Sequence, residues 1–234
     1  MRWNVGRACA HADQVIAVSG DTASAIVEQA WSLPSAPRVV RHGARGPAAV
    51  PPSPVERRDF VIFGAADPRK NLALAIAAFE AAVADLPAGT ELRVLAGAGL
   101  GQPLQRRIAA SSAPIRVIGY LPRDEVWREL SSALALLHPT SAEGFGLPVI
   151  DAMAARTPVI GGLTAAACEI AGDAMLRLDA AEPQASLRNA MVLLAHDPDL
   201  RARLAGAGGE RAELFSWSRC AEDHVSVYRE AAAR

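Results

Sequence analysis

The residues best suited to chemistry gather in one stretch, Glu143-Gly-Phe-Gly-Leu-Pro-Val-Ile-Asp151. An apolar run, Ala133 to Leu137, precedes it and reads as a buried strand ending in His138-Pro139, and Ala152-Met153-Ala154-Ala155 follows as helix-forming sequence. Strand, glycine-containing loop and helix, in that order, bring free backbone N–H groups to the carboxyl edge of a sheet. Pro148 suits the first helical position, where a missing N–H costs nothing. The amides there, with the helix dipole behind them, make an anion site. Glu143 and Asp151 bracket it with carboxylates that can take hydroxyl groups. An anion cradle beside hydroxyl-binding carboxylates suits a sugar nucleotide, which is phosphate and polyol in one molecule. An acidic residue near a helix N-terminus is favoured by about 0.3–1 kcal/mol, which accounts for Asp151 without function. It does not account for Glu143, Gly144, Phe145 and Gly146 together.

A second candidate is Gly64-Ala-Ala-Asp-Pro-Arg-Lys-Asn71, which follows an apolar run, Phe60 to Phe63, and opens a helical stretch. In a parallel sheet such loops lie at the carboxyl edge, where ligands bind. Arg69 offers a planar fork and Lys70 a compact point charge, and together they can neutralise a diphosphate. The alternative is a solvated basic pair at a turn. Lys70 is the sole lysine among 24 Lys+Arg residues, a bias that codon usage explains elsewhere in the chain.

Other motifs carry less. Gly97-Ala-Gly-Leu-Gly101 follows a strand, but Gln102 stands where the dinucleotide fingerprint needs its third glycine, so it reads as a loop needing flexible backbone. His138 reads as a satisfied structural histidine, and the other histidines are scattered without metal spacing. Trp127 and Trp217 fall at helical positions and read as core or helix-packing residues.

These sites need a scaffold, and the pattern supplies one. Candidate strands at Phe60–Phe63, Leu92–Ala96, Ile115–Ile118, Ala133–Leu137, Pro158–Ile160 and Met175–Leu178 are mostly short apolar runs, as expected when both sheet faces are covered. Helical segments alternate with them. Leu72, Ile76, Phe79 and Val83 share one face, and Asp124 is placed to cap a helix with Val126 and Leu130 inward. The fold class is therefore α/β, a doubly wound parallel sheet. Glu182 to Arg234 reads as helical, with breaks near Gly206–Gly209 and at Phe215-Ser216. Before this domain, Asp13–Ser19 and Arg38–Arg41 read as strands around a helix capped by Asp21 or Thr22 and running to about Trp31. Pro47 to Arg58 is a proline-rich linker. The expected domains are thus 1–46, a linker at 47–58, and 59–234. A lone strand–helix–strand cannot bury its own faces, so it either docks on the larger domain after the linker or ends a domain that begins elsewhere.

Composition excludes some classes. The 234 residues are 51% hydrophobic and 21% charged, ordinary for a soluble protein. A net charge of −1 gives no electrostatic reason for a nucleic-acid partner. Cys9, Cys168 and Cys220 show no metal or redox spacing and read as free thiols in a reducing compartment. The absence of a signal-peptide core or a membrane-length apolar run points to the cytoplasm, at most peripheral at the inner face of the membrane.

With these residues assembled, the chain resembles the retaining, group 1 (family 4-type) glycosyltransferases that carry an E-x7-E signature. It is similar to the C-terminal, Rossmann-like, nucleotide-binding half of their two-domain GT-B architecture. Pro68–Asn71, Val94–Gly99, Gly119-Tyr-Leu-Pro122, Pro139–Ala154 and Phe215-Ser-Trp217 carry the match, and Glu169 fits a recurring position. Val15–Ser19, the helix after it and Val39–Arg45 resemble the last strand–helix–strand of the family's N-terminal domain, whose remainder supplies the acceptor site. The resemblance implies transfer of a hexose from a nucleoside-diphosphate sugar to a sugar or lipid-linked acceptor with retention, without metal or other cofactor, in polysaccharide or glycoconjugate synthesis. Lys70, with Arg69, would balance the diphosphate, near Gly64. Glu143 would lie by the donor sugar, Gly144, Phe145, Gly146 and Leu147 would meet phosphate and sugar oxygens, Asp151 would bind the ribose, and Gly119, Tyr120 and Leu121 would meet the base. Two positions depart from the pattern: Asp151 stands where glutamate is usual, and Ala65 where many relatives have arginine. Alternatives are a nucleotide-sugar-binding subunit whose acceptor half is a separate chain, an inactive remnant, and a glycoside hydrolase using Glu143 and Asp151 as its carboxylate pair.

Overall fold

The computed structural model describes residues 2–29, 32–44, 46, 57–64, 66–97 and 99–233. Most of the expected linker, together with Trp31 and Ala65, lies outside the described residues. The elements run α1 (Arg2–His11), β1 (Ile16–Ala17), α2 (Gly20–Glu28), β2 (Arg38–Val39), β3 (Phe60–Phe63), α3 (Leu72–Ala82), β4 (Leu92–Leu95), α4 (Gln102–Ala110) and β5 (Ile115–Ile118). They continue with α5 (Arg123–Ser132), β6 (Ala135–His138), α6 (Leu147–Ala154), β7 (Val159–Gly161), α7 (Ala165–Ala171), β8 (Leu176–Arg177), α8 (Pro183–His196), α9 (Pro198–Ala212) and α10 (Trp217–Ala232).

β3 to β8 form one all-parallel sheet in the order β5-β4-β3-β6-β7-β8. Side chains alternate between its two faces, as strand geometry requires. Phe60 and Ile62 enter one core with Leu72, Ile76 and Phe79 of α3 and Leu187 and Met191 of α8. Val61 and Leu136 enter the other with Trp127 of α5, Val149, Ile150 and Met153 of α6 and Ile170 of α7. Burying each such side chain contributes about 1.5–3 kcal/mol, so both faces must be covered. This is the doubly wound sheet that the strand–helix alternation predicts. β3 pairs with β4 on one side and β6 on the other, so the chain switches direction of build between β3 and β6. Loops leaving that switch point diverge and open a crevice.

The leading strand–helix–strand docks on this domain. β1 and β2 pair in parallel as their own two-stranded sheet. Ser19 caps α2, its side chain accepting from the Thr22 N–H, in place of the expected Asp21 or Thr22. The Asp21 carboxylate instead accepts a 3.2 Å bond from the Ala166 N–H in the first turn of α7. Glu169 of α7 accepts from the Gly20 N–H at 2.8 Å and from Arg41 at 2.6 Å, so one carboxylate holds both α2 and the residue after Val40. At Gly43 a β-carbon would lie 2.3 Å from the Trp217 nitrogen, which makes a side chain impossible without moving α10.

Several local expectations need correction. α1 has no counterpart in the sequence pattern, because its residues show no apolar stripe. α5 begins at Arg123 with Pro122 at its cap, so Asp124 lies within the first turn and does not cap it. α9 runs unbroken through Gly206–Gly209, and the break falls earlier, at Asp197-Pro198. Two of those glycines serve contact: β-carbons at Gly208 and Gly209 would meet Met153 and Arg156 at 3.3 Å, so α9 lies close against the end of α6. Trp127 is core, whereas Trp217 is 46% exposed and packs one face against His42.

Candidate active site

Two loops leave the switch point, one from β3 and one from β6. The first makes a tight turn over Pro68–Lys70, capped by the Asp67 carboxylate, which accepts from the Arg69 N–H at 3.0 Å. Asn71 closes the turn in the left-handed conformation at φ 50°, tolerated by asparagine. The second loop is stitched to the first. The Ser141 N–H donates to the Arg69 carbonyl at 2.9 Å, and the Asn71 side-chain amide donates to the Pro139 carbonyl at 2.8 Å. This stitching brings Lys70 and Glu143 together, Nζ to Oε2 at 3.3 Å, with side chains 25% and 19% exposed.

Beyond Glu143 the loop turns into α6 at Gly146, whose φ of +102° suits only glycine. Pro148 is the second residue of α6, one place later than the first helical position expected for it. The Gly144 carbonyl accepts from the Ser19 hydroxyl at 2.6 Å and the Thr22 hydroxyl at 2.9 Å. Phe145 is buried, edge-on to His42 and Phe215, and anchors the loop to the helical tail. Leu147 is partly buried at the start of α6. Asp151 opens the second turn and is only 3% exposed.

The remaining expected positions spread along the same sheet edge. Gly64 ends β3 where a β-carbon would lie 2.4 Å from Val94 Cγ1, so its glycine serves close strand packing. Gly119 follows β5 with open space about it, Tyr120 is 80% exposed, and Leu121 packs on the second core. Beside Gly119 a hollow of about 400 Å³ is walled by Ala96, Leu100, Ile108 and Val117, an apolar slot at the carboxyl ends of β4 and β5. Gly99 in its rim has φ +76°, in keeping with the flexible loop expected there.

Electrostatics separate the two basic residues. Arg69 is paired with Asp67 through Nε and Nη2 at 2.6–3.1 Å. Hydrogen bonding to that guanidinium holds the Asp67 carboxyl below its ordinary value. Arg69 therefore contributes positive potential from the rim, and its fork is already engaged. Lys70 holds its ammonium 3.3 Å from the Glu143 carboxylate. His138, at the end of β6, is fully enclosed, and burial, then the Lys70 charge, pushes its pKa down to about 3. Among the described residues no group of three or more histidine, cysteine, aspartate or glutamate side chains is placed to hold a metal ion. No described helix is long and apolar enough to cross a membrane.

The family model for glycosyl transferases group 1 matches residues 48–211. The chain belongs to that family. It is 29% identical over 176 residues to the O-antigen chain mannosyltransferase B of Escherichia coli, covering 71% of this chain and 44% of that protein. It is 33% identical over 142 residues to a D-inositol 3-phosphate glycosyltransferase of Corynebacterium urealyticum, covering 57% of this chain and 32% of the relative. The chain spans less than half the length of these curated relatives. In fold it is similar to Anabaena Alr3699/HepE, solved in complex with UDP and glucose, with a TM-score of 0.77 at 17% identity over 97% of this chain and 66% of that one. The fold class and its assignment to the GT-B architecture stand.

Sequence reasoning missed parts of this candidate site. Ser19 and Thr22 reach Gly144 from more than 120 residues away, and no local pattern announces it. Ser19 was read only as the end of the strand Asp13–Ser19. His138 was expected to be satisfied; it is buried, but its Nε2 has no hydrogen-bond partner.

Proposed function

We propose that this chain is the donor-binding half of a retaining, metal-independent hexosyltransferase that uses a nucleoside-diphosphate sugar. The observation that carries the reading is the 3.3 Å approach of Lys70 to Glu143 at the mouth of the switch point, beside the N-terminus of α6. As the bond from the sugar to the diphosphate breaks, negative charge grows on the leaving oxygens. A lysine and a helix N-terminus already aimed there stabilise it without rearrangement. Glu143 faces the sugar and the positive character developing at its anomeric carbon, to which the acceptor oxygen then bonds. The apolar slot by Gly119 takes the flat base. Residues 1–46, the linker at 47–58 and the domain at 59–234 follow the same division, with the acceptor half supplied by further residues or by a separate chain. The name of the Escherichia coli relative supports a role in polysaccharide synthesis.

A thermal-shift comparison of uridine, guanosine, adenosine and thymidine diphosphates tests the reading. A ligand at 100 times its dissociation constant stabilises by about 2.7 kcal/mol, on the order of 5–10 °C for a domain of this size. A flat response to all four overturns it.

A further inference from the structure

The ring of His138 is the one feature of the site that the donor-binding reading leaves unused. It sits on the last residue of β6, 4% exposed, one residue before the Pro139 carbonyl that receives Asn71. Its Nδ1 lies 3.5 Å from the Thr140 hydroxyl, and its Nε2 lies 3.7 Å from Glu143 Oε2, with no hydrogen-bond partner of its own. That same carboxylate oxygen lies 3.3 Å from Lys70 Nζ. One oxygen thus stands between the ammonium of a long, flexible side chain and a buried imidazole on a strand.

We propose that His138 is a positioning residue: a neutral imidazole, protonated on Nε2, that holds the Glu143 carboxylate in place when Lys70 turns to the diphosphate. The inference rests on the donor-binding reading of the same hollow. The tautomer follows from what faces each nitrogen. A proton on Nδ1 would leave the Nε2 lone pair confronting a carboxylate oxygen, two acceptors together in a buried place, which is costly. A proton on Nε2 turns that contact into donor against acceptor, and the Thr140 hydroxyl can donate to Nδ1. The ring stays uncharged because it is enclosed and because Lys70 stands near. It therefore cannot serve as a proton shuttle near neutral pH; its service is geometric. Lys70 alone cannot do this service, since its four-carbon stem is flexible and its charge is wanted by the phosphates. A ring on a sheet strand loses no orientation when the ligand arrives.

The decisive measurement needs no ligand, so its failure is separable from failure of donor binding. The full chain, labelled with 15N-histidine, is measured by long-range proton–nitrogen correlation, with the His138 signals assigned by their loss in His138→Gln. Expected are a protonated Nε2 and bare Nδ1, unchanged between about pH 8 and pH 5, and an Nε2 signal that moves in Glu143→Gln. A proton on Nδ1, a ring that charges in that range, or an Nε2 signal indifferent to Glu143→Gln overturns the proposal. In the complete enzyme, His138→Phe should lower kcat at least tenfold with donor KM within about twofold, and His138→Gln, whose amide can donate from a similar place, should recover most of it. Equal loss in both variants also overturns it.

Discussion

The Ser19 hydroxyl donates a 2.6 Å hydrogen bond to the Gly144 carbonyl, joining the cap of α2 to the loop that carries Glu143. The leading segment is thereby part of the site's construction, fixing the peptide beside the carboxylate. Replacing Ser19 with Ala removes this bond and the α2 cap together. A cap alone is worth about 0.5–2 kcal/mol, and the unfolding free energy in urea should fall by at least that much.

Lys70 and Arg69 are adjacent but not equivalent. Lys70→Ala should lower turnover of the complete enzyme at least tenfold, roughly 1.4 kcal/mol in the barrier. Arg69→Ala should cost several-fold less, because its fork is committed to Asp67. Steady-state rates of the two variants, compared at saturating donor, check the ranking.

Gly64 has ordinary backbone but no room. Alanine there puts a β-carbon 2.4 Å from Val94 Cγ1, and overpacking of this kind costs about 1–3 kcal/mol. Chemical denaturation should show the loss, and Gly119→Ala, with open space about it, should show almost none.

Glu169 clasps the Gly20 amide and Arg41. In Glu169→Gln the amide exchange of Gly20 and Asp21 should quicken at least tenfold, while the six-stranded sheet exchanges as before. Unchanged protection at Gly20 would mean that Asp21 on Ala166 holds α2 by itself.

Acidification should weaken the fold through His138. Its folded pKa, about 3, lies below the unfolded value near 6.5, so the unfolded chain binds the extra proton first. The stability tied to its neutral form is complete above about pH 6.5 and drains away as pH falls towards 3. At pH 5 the loss is about 2 kcal/mol relative to pH 8, from the ratio of the two titrations. His42, lowered chiefly by burial and then by His224, acts in the same direction. Urea midpoints measured across that range, repeated in His138→Gln, isolate the His138 share as the part of the slope that disappears.

Much of this was readable from the residues. Phe60–Phe63 and Ile115–Ile118 are strands at the expected limits, because a short apolar run between turn signals leaves little freedom when both faces are covered. The meeting of Lys70 with Glu143 was anticipated for the same reason: parallel strands deliver their loops to one edge. What escaped was set by contacts distant in sequence. Gly206–Gly209 looks like a helix break in isolation, yet Met153 and Arg156 pressing on that face favour glycine within a continuous helix. Asp151 was expected within the first turn or so of the helix; it lies at the start of the second turn of α6 and is buried. His138 was legible as buried, but whether a buried ring is satisfied depends on neighbours no single sequence displays.

The close seating of α9 on Met153 through Gly208 has a bearing on how the hollow can respond to a guest. A β-carbon at Gly208 would lie 3.3 Å from Met153 Cγ, so α9 and α6 meet there with little room for a side chain between them. The loop before it is pinned from both flanks, by Ser19 and by the stitching to Asn71. On the proposed function, the part left to adapt is one long, flexible aliphatic arm ending in an ammonium. On that reading, capture is the work of a tethered cation over a floor held in place by these bonds.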